Sequence, residues 1–115
     1  VHPWSVVAAE TFRLSRRGVL DGVALYLIAT TMSRLRETVL GPGGHCVTLP
    51  MMRMVLDTTL SQKAMLQFRH LSGIAIATAK MAPHVTADKV LSGKIRRVAM
   101  IAAEQLPEHY IANLT

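Results

Sequence analysis

Two clusters of cations are the groups in this sequence best suited to a chemical task. Arg13, Arg16 and Arg17 gather near the N-terminus, and Lys94, Arg96 and Arg97 toward the C-terminus. A guanidinium is planar, permanently charged and offers paired N–H donors that match two oxygens of one phosphate. These six residues are therefore the candidate phosphate contacts. Lys89 shares part of a helical face with Arg96 and Arg97, and Arg34 with Arg36 forms a smaller group of the same kind.

Covalent and metal chemistry find less support. His2, His45, His70, His84 and His109 show no metal-ligand spacing: there is no His-Glu-x-x-His, no Cys-x-x-Cys and no histidine pair at i, i+4. No metal or cofactor is expected. His45 beside Cys46 is the one suggestive pair, but neighbours in a loop rarely face each other as a nucleophile and its base must. An enzyme centred on it is the third-ranked reading, and no catalytic residue is assigned. The acids are well separated in sequence, and Asp21, inside an apolar stretch, is expected to pair with Arg17 at i−4. The Gly41–Gly44 segment carries no Gly-Lys-Ser/Thr ending, so it does not read as a phosphate-cradling loop.

Met51, Met52 and Met54 are candidate partner-binding residues, because a flexible thioether surface adapts to many shapes; buried, the same residues would fill the core. Of the five aromatics, Trp4, Phe12, Tyr26 and Phe68 look suited to a core. Any binding of nucleic acid is then backbone-directed and sequence-tolerant, with no platform for stacking bases.

Composition sets the frame. The 115 residues are enough for one domain with a real core, half are hydrophobic, and 17% are charged, which excludes a disordered chain. Thirteen Lys and Arg against seven Asp and Glu give a net charge of +6. That surplus favours a polyanion: the RNA or DNA backbone, or an acidic membrane surface. A single cysteine excludes an internal disulfide and suits a reducing, intracellular setting. The chain opens on Val1 rather than Met, so it reads as a piece of a longer one. Its apolar run from Val23 to Ala29 falls far short of the roughly 20 residues a transmembrane helix needs.

The elements that must position these residues are helical. Ala, Leu, Met and Arg abound, and the apolar periodicity predicts an all-α compact bundle of four or five helices. A first helix is expected from Pro3 to Leu14. The next, from Arg16 to Leu40, is apolar nearly all round and reads as a central helix surrounded by others. Gly41–Val47 breaks the chain, and a helix restarts at Thr48-Leu49-Pro50. The pattern from Leu60 to Met81 is again helical. Its small residues Ser72, Gly73, Ala75, Ala77 and Ala79 predict a close crossing of the central helix. Thr86 is expected to cap a last helix with a core face of Val90, Leu91, Ile95, Val98, Ile101, Ala102 and Leu106, stopping at Pro107. The leading expectation is a non-enzymatic interaction or assembly module with a basic surface. The alternative is a purely protein-binding helical scaffold or homo-oligomerisation domain.

Overall fold

A computed structural model describes the backbone of residues 3–40 and 45–114, with side chains for 4–40 and 46–106. Among the described residues six α-helices follow one another: α1 (Pro3–Arg16), α2 (Gly22–Arg34), α3 (Arg36–Val39), α4 (His45–Ser61), α5 (Phe68–Met81) and α6 (Lys89–Leu114). A 3₁₀ turn, Ala82–His84, joins α5 to the approach of α6, and the described residues contain no strand. The all-α expectation holds, with five long helices and α3 as a single turn.

The boundaries differ from the sequence reading in instructive ways. The expected Arg16–Leu40 helix is divided, because two local signals override its apolar period. Gly18 takes φ of +69°, a left-handed conformation that glycine adopts without a steric penalty, and ends α1. Asp21 then sits extended at the N-cap of α2, its carboxylate accepting the Ala24 N–H at 2.9 Å. Asp21 is thus a cap and not a buried partner of Arg17. Nor is α2 surrounded: Leu25, Ala29 and Met32 are buried, but Val23 and Leu27 are 47% and 55% exposed.

Further along, α4 begins at His45 and carries Pro50 inside it, so Cys46 and Val47 are helical rather than loop. Gly41–Gly44, within the expected break, lie outside the described residues, as do His2 and Thr115. Asp57-Thr58-Thr59 remain within α4, where both threonine hydroxyls donate to the carbonyl four residues back, at 2.8 and 2.7 Å. The Leu60–Met81 stretch is divided by a turn after Ser61, and α5 starts at Phe68 behind an extended Gln67. At the other end, α6 passes through Pro107 to Leu114, since a proline removes one ladder bond without compelling a stop.

Asp88, not Thr86, caps α6. Its carboxylate accepts the Leu91 N–H at 3.0 Å and meets Arg53 of α4 at 3.2 Å. The Leu91 N–H first, and then the Arg53 guanidinium, hold the Asp88 carboxyl below its ordinary 3.8. A lowered folded-state pKa contributes stability above the ordinary carboxylate range and loses it as pH falls through the folded value. Melting curves between about pH 6 and about pH 3 should therefore show a steeper acid loss for the native chain than for Asp88→Asn, whose amide still caps but does not titrate. Equal slopes would deny Asp88 this role.

Tertiary packing centres on α2, α4, α5 and α6. α2 and α5 run parallel: Gly22 lies beside Leu66 and His70, then Tyr26 meets Gly73, then Arg34 and Lys80 share one cleft. The predicted close crossing is there. A Cβ at Gly73 would stand 2.2 Å from Tyr26 Cε1, so only glycine admits this approach. α4 packs against α1, α2 and α6, and α5 against α6. A buried polar relay ties the N-terminal part together: the Trp4 indole N–H donates to Thr48 Oγ1 at 2.8 Å, and Thr48 Oγ1 donates to the Val39 carbonyl at 2.6 Å. On α6, Leu91, Ile95, Val98 and Ala102 are buried as expected, whereas Val90 and Leu106 are exposed.

Candidate functional site

The six candidate phosphate contacts divide into engaged and disengaged cations. Arg13 and Arg16 occupy the last turn of α1, and Arg17 follows it. Arg13 is paired with Glu10 one helical turn back, its Nε and one Nη donating to the two carboxylate oxygens. The hydrogen bond from Arg13 holds the Glu10 carboxyl below its ordinary range, and the same pair raises Arg13. On α6, Lys94 reaches across to Asp57 of α4 at 2.7 Å. These two cations are occupied by carboxylates. Arg16, Arg17, Arg96 and Arg97 are exposed and form no ion pair among the described residues. The two clusters stand on different helices, α1 and α6, which both pack on α4.

The methionine expectation is corrected. Met51 and Met52 are fully buried in the core beside residues such as Leu25, Leu56 and Leu71, and Met54 is half-buried against it. Their positions on α4 point inward because that helix is wedged between α1, α2 and α6. They fill core volume and present no docking surface. The exposed apolar side chains lie elsewhere, with Val23, Leu27 and Leu35 at helical spacing along α2 and α3's approach.

Cys46 is exposed at the start of α4, and the His45 side chain lies outside the described residues. Among the described residues no group of three or more His, Cys, Asp or Glu is placed to hold a metal. No described helix is long and apolar enough to cross a membrane. Among the described aromatic side chains, Trp4 is buried, Phe12 and Tyr26 are half-buried against the core, and Phe68 is half-buried.

A basic cleft that sequence reasoning missed opens where the C-terminal ends of α2 and α5 lie side by side. It is an open cleft of about 470 Å³, and Arg34, Arg36 and Lys80 line it together with Tyr26, Thr30 and Ser33. Arg36 donates to the Ser33 carbonyl at 2.7 Å, which fixes its guanidinium at the rim. Arg34 and Lys80 have no ion-pair partner among the described residues. Lys80 is far from Arg34 in sequence, and only the parallel docking of α2 on α5 brings them together. The small-residue band that predicts this docking was the available signal. No protein-family model matches this chain, and neither does any curated protein or solved structure.

Proposed function

We propose that this chain is a non-enzymatic interaction module that holds the phosphate backbone of nucleic acid without reading its sequence. The observation that carries this reading is the set of exposed arginines, Arg16, Arg17, Arg96 and Arg97, with no carboxylate partner among the described residues. Each offers an unspent charge and a two-pronged donor to a phosphate. With Trp4, Phe12 and Tyr26 packed in or against the core, backbone contact is favoured over base stacking.

Four such contacts predict that affinity for a short single-stranded RNA falls with salt at a log–log slope of about −3. Changing Arg16, Arg17, Arg96 and Arg97 together to Gln should remove most of that slope and the binding with it, read by fluorescence anisotropy at several salt concentrations. A slope near zero, or binding that survives the four changes, would refute the reading. Binding to acidic vesicles but not to RNA would redirect the same arginines to a lipid surface.

A second reading, a scaffold that binds protein or its own copies, is favoured by the half-exposed Val23, Leu27 and Leu35. Light scattering separates the two. A concentration-dependent mass indifferent to RNA supports the scaffold.

A further inference from the structure

We infer that the cleft between the C-terminal ends of α2 and α5 is a phosphate-binding site sized for one nucleotide unit, an inference that rests on the backbone-binding reading above and gives it a built seat. Its ingredients are three cations, two hydroxyls unbonded among the described residues and an apolar wall in one open cleft.

Part of this charge has an ordinary structural role. Arg34 and Lys80 lie in the last turns of their helices, where a positive charge offsets the macrodipole. Because α2 and α5 are parallel, two such ends converge. Each carries about half a negative charge, so together they call for about one cation. Glu37 lines an adjacent hollow with Arg34 and Arg36 without an ion pair to either, and its formal charge offsets another. Three cations line the cleft, so about one positive charge is left over by this reckoning. That surplus matches the single charge of a backbone phosphodiester.

The donors are available too. Ser33 is 4% exposed, and its hydroxyl makes no hydrogen bond among the described residues. Yet no buried side-chain oxygen or nitrogen there lacks a partner, so the Ser33 oxygen is one that solvent reaches, at the cleft it lines. The Tyr26 hydroxyl likewise has no hydrogen-bond partner among the described residues, while its ring is held against Gly73. The volume of 470 Å³ far exceeds one phosphate and lies within the range of small-molecule sites, roughly 300–1,000 Å³. Beyond the cations the wall is the Tyr26 ring, Ala77 and Ile76, the last 59% exposed. An apolar wall beside a cationic end suits a phosphate bearing a sugar or base.

The test titrates the chain with inorganic phosphate, adenosine monophosphate and a short oligouridine in phosphate-free buffer at low salt, read by calorimetry. It compares the native protein with Arg34→Gln/Lys80→Gln and with Arg16→Gln/Arg17→Gln/Arg96→Gln/Arg97→Gln. Arg36 is left intact because it holds the Ser33 carbonyl. Losing two charged donors should weaken binding on the order of tenfold or more, with the melting temperature as the check on folding. If the pair fails to fold, Lys80→Gln alone, an exposed change, should still weaken binding by about threefold.

Saturable binding of adenosine monophosphate that the cleft variant loses supports the site with a free nucleotide as its source. Binding of oligouridine alone, weakened by the cleft variant, supports it with the backbone as its source. Oligouridine binding that the cleft variant retains but the four-arginine variant loses overturns the cleft and leaves the surface reading standing. Binding of no probe at all overturns both.

Discussion

Met52→Ala is expected to cost about 2–5 kcal/mol of folding stability. The side chain has no exposure and sits in the central cluster with Leu25, Leu56 and Leu71. Truncation loses the transfer free energy of the removed atoms and adds the cost of a cavity, which neighbours on the three helices packed against α4 close only in part. Urea unfolding should show a lower midpoint at an unchanged slope. Met65→Ala is the contrast: that side chain is 82% exposed, and its loss should stay within about 0.5 kcal/mol. If Met52→Ala were as mild as Met65→Ala, methionines of α4 would belong on a surface after all.

Gly73→Ala should also destabilise, although alanine is the better helix former. A Cβ there would lie 2.2 and 2.4 Å from two ring carbons of Tyr26, well inside van der Waals contact. Either the ring or the α2–α5 separation must give, at a cost of roughly 1–3 kcal/mol. Relief of the glycine's backbone entropy returns up to about 1 kcal/mol. A net loss of about 1–2 kcal/mol is expected from these opposing terms. The cause is checked by repeating the change in a Tyr26→Ala background, where Gly73→Ala should become stabilising. At Gly93, where no atom lies within 4 Å of an added Cβ, alanine should stabilise outright. A loss at Gly73 that persists without the Tyr26 ring would place its origin elsewhere.

Much of the fold was legible, and the misplaced helix boundaries share one cause. Periodicity reports which face is apolar, and it correctly marked Leu91, Ile95 and Val98 on α6 and Leu71 and Ile74 on α5. It does not report where a helix stops. At Gly18 and Asp21 a left-handed residue and a cap act over single positions, and an apolar count averaged across several turns conceals them. The small residues around Gly73 predicted close packing because the absence of side-chain atoms is itself a geometric statement. The candidate site was less legible. Arg16 and Arg97 can be picked out by type, but whether a cation is engaged depends on which carboxylate the fold brings to it, as Asp57 is brought to Lys94. The cleft between α2 and α5 depends wholly on two segments remote in sequence.

The parallel pairing of α2 with α5 also governs the order in which this chain can become itself. Helices adjacent in sequence usually pair antiparallel through short turns, and such local pairs form early. Here Tyr26 must wait for Gly73, so the ends of a long loop are brought together before their contact repays the lost freedom. A nascent chain that has emerged only to Ser61 holds Leu25, Ala29 and Met32 with one wall of their enclosure still unsynthesised. During translation that unfinished face is open to chaperones, proteases and other nascent chains, until α5 arrives to close it.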